Sequence, residues 1–517
     1  ILHFFGRSIG YFWMINFNNH FITMRKLALI TLSTLCWHIC SAQNLALTVQ
    51  WNNVTMVSKS TATLQVVSNP MLSRTGSMHD GAFSALKDMG ADYVRYVPWH
   101  VYPKLVVAEL EPPTATTTSW DFSLIDPMTI DFFNATKGHS VILNFSTIPQ
   151  WMFKTEKPVP YPADPNKVDW SYGGVGMELR DSTMTELTGY YTRLISWYTQ
   201  GGFTDELGKY HKSGYHYDIP YWEVLNEVEF EHYMSPQYYA KIYDAIVTAI
   251  HKISPQTKFI GMALANVDTT PDWFEYFLNP ANHKPGVPLD MISYHCYAYA
   301  NPEQGYDAYQ YPIFEKIDVF SNTISYIESI RKRLSPNTKT DIDELGTFVS
   351  DQMRDQPIPD AYWNLSGAAY AYFYITLTKR DIDVIGESQL VGFPSQYPDV
   401  TMINYKNNKP NARYWVLKLI KDNIKAGDKL VQTGVNNDYG GDLSAQGFIT
   451  GSGKKVLIIN KRNKTIMLKL PPEFKGGELN TVDGDSGDNA PVRSVITGDS
   501  IQMKPFAVSL IKVNAAN

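Results

Sequence analysis

The stretch YWEVLNEVEF, Tyr221 to Phe230, sets Glu223, Glu227 and Glu229 beside Trp222 and Asn226. Further on, LDMISYHCYAY carries His295 and Tyr297, and KTDIDELGTF carries Glu344 ahead of Leu345 and Gly346. A carboxyl group can serve as acid, base or nucleophile, and two that face each other divide that work. Glu227 and Glu344 are 117 residues apart, so they meet only if the fold brings two separate elements together. Such a pair is what glycosidic cleavage needs: one acid protonates the leaving oxygen while the other carboxylate attacks the anomeric carbon.

Blander readings compete with this one. YWEVLNEVEF as a solvated surface helix finds little room between Pro220 and the cap-like Ser235-Pro236. Glu223, earlier on a strand, is expected to point inward and pair with a buried cation, and Glu229 to be a rim charge. Asp341 and Asp343 precede Glu344 and are expected deeper, in structural pairing. His295 taken alone reads as a satisfied core histidine, and Cys296 as a small buried hydrophobe with no base beside it. GDSGD (484–488) has the look of a protease nucleophile loop, but no matching His and Asp segments accompany it, so it reads as a turn. No His/Cys/Asp cluster has metal-ligand spacing, and GGVG (173–176) has the wrong spacing for a phosphate loop. No metal or cofactor is expected.

Positioning the carboxylates requires a repeating scaffold. From 77 to 425, short apolar strands alternate with amphipathic helices. Ser235-Pro236 opens a helix whose stripe runs Ile242, Ala245, Ile246, Ala249, Ile250 and Ile253, and Ser254-Pro255 ends it. KFIGMALA (258–265) follows as a buried strand, Thr270-Pro271 caps another helix, and LDMISYHCY (289–297) is the next strand. DYVRYVP (92–98), SVILNFS (140–146), YWEVLN (221–226), TDIDEL (340–345) and DIDVIGE (381–387) read alike. This rhythm predicts an α/β fold, a (β/α)8 TIM barrel, whose reactive groups sit where strands end. Residues 426–517 alternate apolar and polar instead, as in 446–471 and 501–513, and predict a C-terminal antiparallel β-sandwich. ALTVQWN and ATLQVVS, within 43–76, are expected to add strands to it.

The 517-residue chain has a net charge of −6 and 44% hydrophobic residues, which gives no reason to expect nucleic acid. Residues 1–23 read as a non-native or untranslated leader. Met24 opens a signal peptide (24–42): Arg25 and Lys26, an apolar run to about Cys40, then Ser41-Ala42. That run is short of the ~20 residues that span a bilayer, and no later segment is apolar enough to do so. Without Cys36 and Cys40, only Cys296 remains, so no internal disulfide can form. Sequons at Asn53, Asn134, Asn144, Asn364 and Asn463 fit a secreted or lumenal glycoprotein. The oligomeric state is not legible.

Taken in order, Asn226-Glu227, His295-x-Tyr297 and Glu344-Leu345-Gly346 resemble the retaining clan A (β/α)8-barrel glycoside hydrolases. Within them the chain looks most like a divergent member of glycoside hydrolase family 39, the β-xylosidase and α-L-iduronidase family, over roughly residues 77 to 517. WDFSLID (120–126) and NYKNNKPNARYW (404–415) add to the likeness. The resemblance implies Glu227 as acid/base and Glu344 as nucleophile. It implies Asn226 on the sugar 2-hydroxyl, Tyr297 on the nucleophile, His295 in the same subsite and Arg95 supporting the nucleophile, with Trp99 a further substrate-binding candidate. An arginine and a phenol beside Glu344 would keep it ionised. One position departs: family members commonly carry Arg-x-His on the early strand, where this chain has Val97, with His100 displaced.

The function expected is a secreted retaining glycosidase of β-xyloside/β-glucoside type, with a carbohydrate as its partner. A non-catalytic carbohydrate-binding protein on the same scaffold is the alternative from another class; an endo-acting glycanase or an α-L-iduronidase-like enzyme is the alternative within enzymes. Iduronidase action is disfavoured because HCYA offers no cation for a uronate. Loops 99–119, 152–181 and 300–314 would shape the subsites.

Overall fold

The computed structural model describes residues 45–514, apart from 269, 302, 350–357 and 394–396. The expected leader and signal peptide, with Cys36 and Cys40, lie outside the described residues. Eight strands close into a barrel: β1 (Thr61–Val67), β2 (Val94–Val97), β3 (Val141–Leu143), β4 (Tyr221–Glu223), β5 (Lys258–Leu264), β6 (Met291–Tyr299), β7 (Lys339–Phe348) and β8 (Val384–Glu387). Every pairing is parallel, each strand lies beside its predecessor, and β8 pairs with β1 to complete the ring. Strands covered on both faces are buried throughout, as VRYV, VIL, YWE and VIGE are, so the charges they carry, Arg95, Glu223 and Glu387, are buried too.

The helices form the outer layer. Pro236–Ile253 begins where its cap predicts, Ser235 Oγ accepting the Tyr238 N–H at 3.2 Å. Ile242, Ile246 and Ile250 are fully buried on its inner stripe, and Ala245, Ala249 and Ile253 are half-buried. Pro271–Phe277 starts at the expected residue but without a side-chain cap, because Thr270 Oγ1 donates to the Asn266 carbonyl instead.

One sequence expectation is corrected. Of the strands between 43 and 76, only Leu45–Val57 joins the C-terminal sheet, pairing antiparallel with Lys429–Asn436. Thr61–Val67 is β1, hydrogen-bonded between β8 and β2. The barrel thus begins at 61 and not at 77. The rhythm concealed this because a strand, not a helix, precedes β1.

The C-terminal sheet has nine strands, antiparallel except where Leu45–Ala46 runs parallel to Leu468–Lys469. Leu45, Leu47, Val456, Ile458, Leu468, Phe474 and Ile511 form its own apolar core, separate from the barrel's. The GDSGD segment lies in turns there, as expected. No helix among the described residues is long and apolar enough to cross a membrane. Of the five sequons, Asn53, Asn134 and Asn463 are exposed. Asn144 and Asn364 are 0% and 7% exposed, so the folded chain offers neither to a glycan.

Candidate active site

Local backbone irregularities aim the side chains. Between Asp341 and Glu344, β7 takes three steps while β6 takes two, from Ser293 to His295. Side chains alternate along a regular strand, so Asp341 and Asp343 facing inward would send Glu344 outward. The extra residue lets Asp343 and Glu344 both reach Arg95, at 2.8 and 2.6 Å. Past β4, Leu225 (φ 65°) and Glu227 (φ 42°) adopt left-handed backbone, which costs side-chain-bearing residues roughly 1–3 kcal/mol each. The turn is held by Glu227 N–H donating to the Ala263 carbonyl (2.9 Å) and by Asn144 Nδ2 donating to the Leu225 carbonyl (2.9 Å). Asn226 and Glu227, adjacent in sequence, both line one cavity as a result.

Arg95, 1% exposed, ties the floor of that cavity together. Its Nε donates to Glu223 Oε2 at 2.6 Å, and its Nη1 to Gln65 Oε1 (2.8 Å) and Glu344 Oε1 (2.6 Å). Its Nη2 donates to Asn226 Oδ1 at 2.8 Å. Glu223 is thus the inward charge with a buried cation that the sequence led us to expect. The second Glu344 oxygen accepts from Tyr297 Oη at 2.7 Å; Ser388 Oγ lies 2.6 Å from the same phenol oxygen and accepts from Gln65 Nε2 at 2.7 Å. The Ser388–Gln389 peptide bond is cis. His295 Nδ1 is 2.8 Å from Glu227 Oε1 and 3.7 Å from Glu344 Oε2, and its Nε2 is 3.5 Å from Asp343 Oδ1. One oxygen of Glu227, one of Glu344 and a ring nitrogen of His295 all lie within 4.8 Å of one another.

These contacts shift the titration of the groups that make them. Burial would pull the Arg95 guanidinium down, but Asp343, Glu223 and Glu344 hold it well above its ordinary value. Burial pushes Glu344 up, and the charges of His295 and Arg95 with the Tyr297 hydrogen bond outweigh it, leaving Glu344 below the usual carboxylate range. Burial likewise opposes a charge on His295, yet Glu344 and Glu227 raise it. Asp341 and Asp343 go the other way, driven well upward by burial, although the Arg95 charge pulls both back down. Burial also pushes the Cys296 thiol up, consistent with an inert side chain.

The cavity has a volume of about 190 Å³. Trp99, Phe348, Phe393 and Tyr397 supply aromatic walls, and Gln65, Asn226, Glu227, Tyr297, Glu344 and Gln389 the polar groups. All seven candidates from the sequence gather here. Glu227, Glu344, Asn226, Tyr297 and Trp99 line the cavity, while Arg95 and His295 stand behind it, bonded to its carboxylates. Sequence reasoning missed Gln65, Ser388, Gln389 and Glu231; only Gln65, an amide between Leu64 and Val66 in a strand, carried a signal. Glu229 is not a solvated rim charge: it is half-buried, its Oε1 accepts the Asn266 N–H at 2.9 Å, and burial raises it to about 7. The displaced His100 is 7% exposed, packed on Trp170 and pushed down to about 3 by burial, and it does not line the cavity.

No family model and no curated protein matches the chain. Solved structures do. The GH51 arabinofuranosidase from Xanthomonas axonopodis pv. citri superposes with a TM-score of 0.61 at 12% identity, over 91% of this chain and 100% of that one. A glucosidase from Croceicoccus marinus gives 0.59 at 14% identity, over 91% and 99%. A GH30 endoxylanase from Clostridium papyrosolvens C71 gives 0.54 at 12%, over 91% and 100%. At these identities the likeness establishes the fold, a (β/α)8 barrel with a C-terminal β-sheet domain.

Proposed function

We propose that this protein is a retaining glycoside hydrolase that removes a neutral sugar unit by double displacement. The observation that carries the reading is the approach of Glu227 and Glu344, from the ends of β4 and β7, to within 4.8 Å at the wall of one cavity. That separation suits the pair spaced at about 5–5.5 Å that forms a covalent intermediate, not the roughly 6.5–9.5 Å that admits a water. Glu344, kept ionised by His295 and Arg95, attacks the anomeric carbon while Glu227 gives its proton to the departing oxygen. Glu227 then takes a proton from water, the water oxygen bonds to the anomeric carbon, and Glu344 leaves as carboxylate. Asn226 binds the sugar 2-hydroxyl, and Tyr297 orients Glu344.

The small cavity, against about 300–1,000 Å³ for typical ligand sites, favours a single terminal sugar over an internal chain segment. Its described lining has aromatic rings and amides but no Lys or Arg, which supports a neutral sugar of β-xyloside or β-glucoside type over a uronate. The order Asn226-Glu227, His295-x-Tyr297, Glu344-Leu345-Gly346 supports glycoside hydrolase family 39 as the family nearest this reading. The arabinofuranosidases among the structures it resembles make an arabinofuranoside the other substrate to try. Secretion, with glycans at Asn53, Asn134 or Asn463, belongs to the same reading.

The test is covalent. Wild-type protein treated with an activated 2-fluoro-glycoside gains one sugar by intact mass, on Glu344, and a panel of aryl glycosides identifies the sugar. Glu344→Gln abolishes turnover and labelling while circular dichroism stays native. A wild-type protein that binds the glycosides but is never labelled is a carbohydrate-binding protein, and the reading falls.

A further inference from the structure

Glu231 sits one helical turn past Glu227, in the short helix Val228–Glu231, and does not line the cavity. Its Oε1 nonetheless accepts two hydrogen bonds from residues that do: Trp99 Nε1 at 2.7 Å and Asn226 Nδ2 at 3.0 Å. Both donors gain a fixed orientation from it. An indole has a single polar group, so that one bond pins the ring about its Cβ–Cγ axis. An amide can flip, but here the arginine donor Arg95 faces Asn226 Oδ1 at 2.8 Å while the Glu231 oxygen faces Nδ2. The two bonds allow one orientation and leave one Nδ2 proton directed elsewhere.

We propose that Glu231 is a positioning residue of the sugar site: its single oxygen clamps the Trp99 wall and the Asn226 amide, so that the ring face and the free N–H meet the sugar together. This rests on the function proposed above and extends it to a residue that never touches substrate. Surroundings agree with the assignment. Burial, and next the charge of Glu227, raise Glu231 to about 8, a cost retained by a side chain whose hydrogen bonds among the described residues are with those two donors. Trp99 packs edge-on against His100 at 4.8 Å and Trp170 at 5.3 Å, and lies near Phe393 at 5.8 Å, so the indole is held by ring packing and, among the described residues, by the single hydrogen bond to Glu231.

Two substitutions separate clamping from charge. Glu231→Gln keeps an oxygen able to accept both bonds; Glu231→Ala removes it. Glu231→Ala is expected to lower kcat/KM for the best aryl glycoside about 10- to 100-fold, the scale set by a displacement of ~1 Å, with Glu231→Gln within about threefold of wild type. The decisive readout is the 2-deoxy analogue: wild type and Glu231→Gln discriminate strongly against it, and Glu231→Ala loses about tenfold or more of that discrimination because the Asn226 N–H is no longer aimed. Trp99→Phe, which lacks the indole N–H, costs less when added to Glu231→Ala than alone, since the bond is already gone. If Glu231→Ala does not fold, Trp99→Phe and Glu231→Gln carry the test: a Trp99→Phe enzyme equal to wild type, or a Glu231→Gln enzyme as impaired as a catalytic knockout, overturns the proposal. Unchanged 2-deoxy discrimination in folded Glu231→Ala also overturns it. If wild type turns nothing over, the hydrolase reading fails separately, and calorimetric affinity for free xylose or glucose judges Glu231 instead. A tenfold loss in Glu231→Ala supports the clamp; equal affinity, or no sugar binding by any form, overturns it.

Discussion

The barrel interior and the C-terminal sheet solve the problem of charge in opposite ways. In the sheet, Leu45, Val456, Ile458, Leu468 and Ile511 fill the core, and the ion pair Lys512–Glu478 lies at the surface with 40% and 42% side-chain exposure. Inside the barrel, Arg95 and Glu223 pair at 1% and 0% exposure, with Asp341, Asp343, Glu344 and His295 around them. Removing two charges from water costs more than a good pair returns, so a buried network is a poor device for stability alone. What it provides is a bias on charge: Glu344 is held below the usual carboxylate range while Asp341 and Asp343 beside it are pushed above it. One region holds the chain together, and the other holds a chemical state.

Substitutions can break that contrast, beginning with its centre. Arg95→Met should lower unfolding free energy by about 3–5 kcal/mol in a denaturant titration, because Glu223 and Glu344 lose their shared cation while still buried. A loss under about 1 kcal/mol would mean the network does not depend on the arginine. A smaller effect is expected from His295→Gln. Removing the cation that helps hold Glu344 low raises the Glu344 pKa, so the acid limb of the kcat/KM profile moves to higher pH. The stability tied to Glu344 is present above its unfolded value of about 4.3 and lost as pH falls through the lower folded one; this contribution shrinks in the variant, so acid unfolding begins at higher pH. The smallest effect belongs to the sheet: Lys512→Ala should change stability by less than about 1 kcal/mol in the same titration. A cost comparable to that of Arg95→Met would erase the distinction between the two regions.

Much of this was legible in the sequence, for physical reasons. Seven of the eight barrel strands could be picked out between amphipathic helices, most of them as the apolar runs that burial on both faces imposes, and β7 in spite of its three acids. The eighth, β1, was read into the sheet because a preceding strand hid the start of the alternation, and Gln65 was missed with it. Glu227 and Glu344 could be paired because strand ends face one mouth. The bulge that turns Glu344 inward beside Asp343 could not be read, since a one-residue slip between β6 and β7 is a property of two strands and not of either. Ser388 and Glu231 were missed for a related reason: what marks them is the partner across space, Tyr297 in one case and Trp99 in the other.

The pairing of Leu45–Val57 with Lys429–Asn436 bears on how the molecule is made. On a ribosome the first of these strands emerges before the whole barrel, and its partner only after it. At about 5–20 residues per second, the early strand waits on the order of tens of seconds with its edge unpaired. The same tie means that the C-terminal sheet is not a detachable module. A chain cut at 426 leaves Leu45–Val57 without its neighbour, and residues 429–514 expressed alone lack the strand that joins Lys429–Asn436 to Ile466–Lys469.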